Sequence, residues 1–142
     1  MPIGKLATQD AVTASKDTNF KEIAGKMESE MVGSIIIEED EKPVGIVTDR
    51  DIAFAAADGM DVSSTAAEEI MSEDVQTIDA DIEGYEAIEQ MSDTGVRRFP
   101  VVDENDELVG IVTVDDVVAT VGRELEQIAD IIEKQSPEYS PA

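Results

Sequence analysis

Apolar positions in the first half of the chain change from helical spacing to short continuous runs. Residues 34–37 and 45–47 are runs typical of short buried strands, and the acidic stretch at 38–42 between them predicts a turn. A helix is predicted before them by apolar residues at helical spacing: Phe20, Ile23, Ala24, Met27 and Met31. With a short strand at 11–14 and a helix after residue 48, the predicted order is strand, helix, strand, strand, helix.

The same order of elements returns in the second half. GIVTDRD at residues 45–51 reappears as GIVTVDD at residues 110–116, and a second short strand is predicted at 75–78. Asp17 and Asp81 precede the first helix of each half and are predicted to be its N-cap, for which Asp is a favoured residue. A domain of about 60 residues buries too little surface to be robustly stable alone. We therefore expect the two units to pack together.

The composition excludes several chemistries. The chain has 142 residues with no Cys and no His, which excludes disulfides, thiolate zinc sites, and catalysis by imidazole or a Cys nucleophile. We therefore rank an enzyme last among the function classes and expect no metal site and no covalent cofactor. No stretch approaches the ~20 apolar residues of a membrane span, and residues 1–5 lack the apolar core of a signal peptide, so we expect a cytoplasmic protein.

Acidic residues far outnumber basic ones. There are 34 Asp and Glu against 10 Lys and Arg, for a formal net charge of −24. Such a surface repels phosphate backbones and anionic lipids, so we expect neither a nucleic-acid nor a membrane partner. We interpret the charge as adaptation to concentrated salt, where the Debye length falls to ~3 Å at 1 M and screens the repulsion. A melting temperature that does not rise with added salt would contradict this halophile interpretation.

Each GIVT segment runs into a Thr-x-x-Asp pattern at the start of a helix. Thr48 with Asp51, and Thr113 with Asp116, have the spacing of a capping box, in which each side chain bonds the other residue's backbone N–H. A helix N-terminus also favours an anion. The Thr hydroxyl can then donate to a phosphate, and the Asp can accept bonds from two ribose hydroxyls. The two roles are compatible, and the pattern alone leaves both open.

Basic residues are few enough for their positions to be informative. Arg97 and Arg98 precede the strand that contains Pro100, and Arg50 lies inside the first motif. A guanidinium can bond two phosphate oxygens at once, so two adjacent arginines beside a cleft favour an anionic ligand. The alternative, solvated charges that neutralise nearby carboxylates, stays open for Arg97 above all.

Duplicated at one spacing, these motifs resemble the CBS domain, and the tandem pair resembles a Bateman module. The resemblance rests on the two Gly-Ile-Val-Thr-x-x-Asp segments, on RFPVVD at 98–103 and on IMS at 70–72. It implies an α/β (α+β) fold, in which two β-α-β-β-α repeats pack with pseudo-twofold symmetry and a C-terminal helix follows. We expect the repeats at residues 3–60 and 66–121, an amphipathic helix at 122–135 and a flexible tail at 136–142.

Two clefts between the repeats are implied by the resemblance, and in many members of the family they bind adenosine nucleotides. The ligand expected here is AMP, ADP or ATP. The resemblance implies adenine against the first strands, around Val12 and Thr13 in one cleft and around Val75 and Thr77 in the other. Arg98 matches the phosphate-binding Arg of the family.

The two halves differ at the positions that would bind phosphate. Repeat 1 has Val32-Gly33 where repeat 2 has the two arginines, and it carries Arg50 where repeat 2 has Asp115. We expect the cleft served by Thr113, Asp116 and Arg98 to bind more tightly, with Arg50 available to a ligand whose ribose the second motif holds.

Three function classes follow, of which a regulatory module that senses an adenosyl ligand ranks first. S-adenosylmethionine and NAD are alternative ligands, and a dimeric interaction module with structural or empty clefts is the alternative function. In either case we expect a homodimer, because family members pair through helices that flank the clefts, and a target protein that receives the signal.

Overall fold

Each repeat folds around its own three-stranded sheet. The computed structural model describes residues 1–8, 11–73 and 75–136. Within the first repeat, a 3₁₀ turn at Ile3–Lys5 precedes the elements β1 (Thr13–Ala14), α1 (Phe20–Glu30), β2 (Ser34–Glu39), β3 (Lys42–Thr48) and α2 (Asp49–Ala57). The second contains α3 (Ala67–Ile70), β4 (Ile78–Asp79), α4 (Gly84–Thr94), β5 (Arg98–Val102), β6 (Leu108–Thr113) and α5 (Val114–Gln135).

The two sheets have the same topology. In the first, β1 pairs parallel with β2, and β2 pairs antiparallel with β3. In the second, β4, β5 and β6 pair in the same way. The predicted α/β fold with two β-α-β-β-α repeats is therefore confirmed.

Some local predictions were wrong. The first strand of each repeat is only two residues long, so Val12 and Val75 lie before the strands. The helix after the first strand of each repeat, α1 or α4, also begins later than expected. The N-cap of α1 is Asn19, whose side chain accepts a bond from the Glu22 backbone N–H, and the N-cap of α4 is Glu83. In both repeats the N-cap is the residue two positions after the predicted Asp.

The hydrophobic cores are built by an exchange between the repeats. Ile3, from the start of the chain, is fully buried in the core of the second repeat, where it packs with Phe99 and Val101. Ala67, from the start of the second repeat, is fully buried in the core of the first. Backbone hydrogen bonds fix both insertions, at 2.8 Å from Ile3 N to Ile82 O and at 2.7 Å from Ala67 N to Thr18 O. Neither core is complete without the other half of the chain.

The exchanged segments then cross the last strand of the opposite sheet. Thr8 and Ile111 exchange two backbone hydrogen bonds of 2.9 and 3.1 Å, and Ser72 and Ile46 exchange two of 3.0 and 3.4 Å. The glycine that opens each GIVT segment lies beside this crossing. A Cβ on Gly110 would lie 2.7 Å from the Thr8 carbonyl oxygen, and one on Gly45 would lie 2.2 Å from Met71 Sδ. The first residue of the repeated motif is thus a glycine because the opposite repeat needs its space.

The last helix of the second repeat continues without a break to Gln135. The amphipathic segment predicted at 122–135 is the second half of α5, and the boundary expected at residue 121 falls inside this helix. Every residue from 121 to 136 is exposed. The predicted tail lies outside the described residues apart from Ser136. Among the helices that the structure describes, none has the length and apolar character needed to cross a membrane.

A methyl group at position 110 tests the crossing. We expect Gly110→Ala to destabilise the protein by about 1–3 kcal/mol, the usual range for overpacking, because its Cβ would meet backbone that cannot move aside alone. Gly25→Ala is the matched control. Gly25 lies exposed inside α1 with open space around it, so alanine there should stabilise by about 0.5–1 kcal/mol. Urea unfolding measures both changes, and a Gly110→Ala variant as stable as the unsubstituted protein would refute the packing argument.

Candidate ligand-binding clefts

Two clefts lie between the repeats, one on each side of the crossing segments. The larger has a volume of about 570 Å³, within the roughly 300–1,000 Å³ typical of ligand pockets. Its wall contains the crossing pair Ile46 and Ser72. The described lining residues are Ile46, Thr48, Ser72, Glu73, Val75, Gln76, Val96, Arg97, Arg98 and Pro100.

The smaller cleft has a volume of about 260 Å³ and contains the other crossing pair, Thr8 and Ile111. It is lined, in the described part of the chain, by Thr8, Ala11, Val12, Val32, Gly33, Ser34, Ile36, Arg98, Ile111, Thr113, Asp115 and Asp116. We call the two sites the large cleft and the small cleft.

A buried apolar side chain from the central strand of each sheet contributes to each cleft. Ile35 and Ile37 of β2 pack in the core of the first repeat, so Ile36 between them points to the opposite face of the sheet and lines the small cleft. Pro100 occupies the equivalent place in β5 and lines the large cleft. Both are less than 2% exposed, so each cleft has a rigid apolar surface against which a ring can pack.

The two Thr-x-x-Asp motifs form complete capping boxes. Thr48 N donates to Asp51 Oδ2 at 2.8 Å, and Asp51 N donates to Thr48 Oγ1 at 3.3 Å. The corresponding distances for Thr113 and Asp116 are 2.9 and 3.1 Å. The capping interpretation is therefore confirmed. It does not conflict with a ligand role, since a carboxylate has two oxygens with about four lone-pair sites.

The two Thr-x-x-Asp motifs differ in which of their residues line a cleft. Thr113 and Asp116 both line the small cleft. Thr48 lines the large cleft, whereas Asp51 borders a separate shallow depression beside Phe54 and Asp58. The structure thus brings a complete Thr and Asp pair to one cleft and only the Thr to the other.

Arg97 and Pro100 lie in the large cleft, away from Thr113 and Asp116. Thr113, Asp116 and Arg98 line the small cleft together, whereas the other two residues expected beside them, Arg97 and Pro100, line the large cleft. Arg97 is largely exposed, and its Nη2 lies 3.4 Å from Asp115 Oδ1, a surface ion pair of small energetic weight. Arg98 is half-buried and lines both clefts.

Three other predicted site residues lie elsewhere. Arg50 is exposed on the first turn of α2, and among the described linings neither cleft includes Arg50, Thr13 or Thr77. The Thr13 carbonyl instead accepts a bond of 2.7 Å from Lys26 Nζ. Of the expected adenine contacts, Val12 lines the small cleft and Val75 the large one.

Sequence reasoning missed the residues that the exchange contributes. Ser72 and Glu73 in the large cleft, and Thr8 in the small one, come from the segments that lead into each repeat. Residues 6–8 and 70–72 hold equivalent places in the sequence, each directly before the first strand of its unit. What the sequence could not show is that each one crosses to the sheet of the other half.

The clefts carry opposite charge. The described charged residues of the large cleft are Arg97 and Arg98 against Glu73, which leaves it basic. Those of the small cleft are Arg98 against Asp115 and Asp116, which leaves it acidic. In a chain of net charge −24, a basic concave site with two guanidinium groups is a distinct feature.

The fold and motifs agree with a comparison against known protein families. The model of the CBS domain matches twice, at residues 3–58 and 67–123. The chain belongs to the CBS-domain family. Its two repeats form a CBS pair, and the crossing segments are included in the matched regions.

Individual proteins give the same assignment. The uncharacterized protein MK0525 of Methanopyrus kandleri is 36% identical over 137 residues, which covers 90% of this chain and 70% of that protein. The CBS domain pair of protein MJ0100, solved in complex with 5′-methylthioadenosine and S-adenosyl-L-methionine, is 28% identical with a TM-score of 0.77. That match covers 87% of this chain and 98% of the other.

A third protein was solved with a nucleotide. The CBS domain protein PAE2072 from Pyrobaculum aerophilum, complexed with AMP, is 25% identical with a TM-score of 0.74, covering 82% of this chain and 89% of that one. The source organisms of these proteins give no support to a halophilic origin, which therefore stays a prediction from the charge alone.

Proposed function

We propose that this CBS pair is a regulatory module that binds an adenosine nucleotide in the large cleft. The observation that carries the proposal is the convergence of Arg97, Arg98 and the Thr48 hydroxyl on one cleft of about 570 Å³. Guanidinium groups bind phosphate oxygens in pairs. The complex of PAE2072 with AMP supports the same class of ligand.

The large cleft has a suitable surface for each part of a nucleotide. Pro100, Val75 and Ile46 provide apolar contacts for the base, and Pro100 is buried and rigid. Thr48 and Ser72 provide hydroxyl groups for the ribose or the phosphate. Thr48 is also the N-cap of α2, so a phosphate beside it meets the positive end of a nine-residue helix.

The small cleft favours an adenosyl ligand without phosphate. Its carboxylates, Asp115 and Asp116, outnumber its single arginine and repel an anion. Asp116 keeps acceptor capacity for ribose hydroxyls beyond its bond to the Thr113 backbone. The binding of 5′-methylthioadenosine and S-adenosylmethionine by the MJ0100 pair supports a neutral or cationic ligand for a site of this kind. This cleft is the second candidate site.

We infer that α5 joins two copies of the chain into a homodimer. Exposed apolar residues recur along α5 with alternating spacings of three and four, the heptad period of a coiled coil. They are Val118, Val121, Leu125, Ile128 and Ile132. The seam itself carries no charge and is flanked on one side by the small residues Gly122 and Ala129, so two copies can approach closely along it. A twofold axis lets the same seam serve both partners.

The output of such a module is a change in its interaction with a target protein. The proposal assigns no catalytic step to this chain, because its candidate site binds rather than activates a ligand. It also assigns no nucleic-acid or membrane partner, since the net charge of −24 repels both. A cytoplasmic location fits a nucleotide ligand.

Arg97 provides the test of nucleotide binding. Titration calorimetry should show that AMP binds and that Arg97→Gln weakens it by about three- to tenfold, the modest effect expected for an exposed arginine. Adenosine binding should not change, because adenosine has no phosphate. The matched control is Arg123→Gln, which removes the same charge on α5 where Arg123 contacts Thr120. If AMP, ADP, ATP and S-adenosylmethionine all fail to bind, the interaction-module alternative replaces this proposal.

Light scattering tests the dimer. We expect the unsubstituted protein to be a dimer and Leu125→Asn to shift it to monomer, because a polar side chain is placed at the centre of the seam. Phe54→Asn is the matched control, since Phe54 on α2 is also 61% exposed but lies off the seam. Dissociation caused by Phe54→Asn and not by Leu125→Asn would place the interface elsewhere and contradict the inference.

A further inference from the structure

Arg98 occupies a position that no other described lining residue shares. It is the one member common to the linings of the large and the small cleft. Its backbone lies at the start of β5, beside Arg97. Its guanidinium extends across the module towards Gly33 of the first repeat, a residue of the small cleft.

The first repeat has no counterpart to this arginine. Ser34 stands at the position equivalent to Arg98, since each residue begins the central strand of its sheet and pairs with the Thr of its motif. Gly33, directly before β2, is the counterpart of Arg97, which corrects the alignment expected from sequence. A Cβ on Gly33 would lie 3.2 Å from Arg98 Nη2 and 3.4 Å from Asp49 Oδ2. A side chain at position 33, the counterpart of Arg97, would therefore compete for space with the Arg98 guanidinium. The module therefore has one arginine at this position, where two identical repeats would have two.

A single guanidinium cannot neutralise a phosphate in each cleft. When Arg98 binds a phosphate in the large cleft, the small cleft is left with Asp115 and Asp116, and Asp49 lies beside Gly33 at its edge. A second phosphate within reach of the same guanidinium would also lie close to the first phosphate. Two phosphates that contact the same guanidinium repel each other strongly, because the site is partly desolvated.

We propose that Arg98 is shared between the two clefts, so that a phosphate-bearing ligand in the large cleft lowers the affinity of the small cleft for a second one. The proposal rests on the proposed function, because it requires the large cleft to bind a nucleotide. It adds that the module responds to one phosphate-bearing ligand at a time, and by reciprocity each cleft affects the other equally. A ligand without phosphate makes no demand on Arg98 and escapes this coupling.

A variant with the large cleft blocked distinguishes the sharing of Arg98 from a fixed difference in AMP affinity between the two clefts. Val75→Trp fills the large cleft from a residue that the small cleft does not use, and Val96→Trp is a second variant for the same purpose. Calorimetry with AMP on the unsubstituted protein should give a tight site and a weaker second site. In the blocked variant no phosphate in the large cleft draws Arg98 away from the small cleft, which its guanidinium already borders. Its remaining site should therefore bind AMP at least about tenfold more tightly than that second site. Adenosine affinity at the small cleft should not change.

Two double variants complete the experiment. Adding Arg98→Gln to the blocked protein should remove the gain in AMP affinity, whereas adding Arg123→Gln, which removes an equal charge on α5, should leave it. Equal AMP affinities for the blocked site and the second site of the unsubstituted protein would overturn the sharing of Arg98 and leave nucleotide binding intact. If the unsubstituted protein binds no AMP, the proposed function fails and this inference fails with it.

Discussion

The backbone hydrogen bonds between Thr8 and Ile111, and between Ser72 and Ile46, are the contacts on which the rest of the structure depends. Each joins the lead-in segment of one repeat to the last strand of the other. They hold Ile3 and Ala67 in the opposite cores, so neither core is complete without the other repeat. The same four residues line the clefts, so the contact that joins the repeats also forms the walls of both candidate sites.

Symmetry of the backbone does not extend to the side chains that a ligand would meet. The crossing is the same in both halves, and both capping boxes are complete. The large cleft nevertheless holds two arginines, and the small cleft holds the complete Thr113 and Asp116 pair. The difference in arginine content arises because Arg97 lines the large cleft, whereas its counterpart Gly33 lines the small one. The duplicated fold thereby has two clefts of opposite charge, and Arg98 lines both.

The fold could be predicted from sequence because the chain repeats. GIVTDRD and GIVTVDD align the two halves with each other, and the short apolar runs in each half predict its strands. Capping by Thr48 and Thr113 followed from spacing alone. The division of the site residues could not be predicted in the same way. Asp51 turns away from the large cleft although Thr48 lines it, and Ser72 reaches that cleft only because its segment crosses to the other sheet. Such placements depend on contacts distant in sequence, which no local pattern encodes.

Amide hydrogen exchange with and without AMP locates the nucleotide, since each cleft contains a crossing pair whose amide protons report its stability. We expect AMP to increase protection of Ile46 and Ser72 in the large cleft more than that of Thr8 and Ile111 in the small cleft. Equal protection of all four amides without AMP would show that both crossings belong to one folding unit. An increase on AMP binding confined to Thr8 and Ile111 would contradict the assignment of the nucleotide to the large cleft.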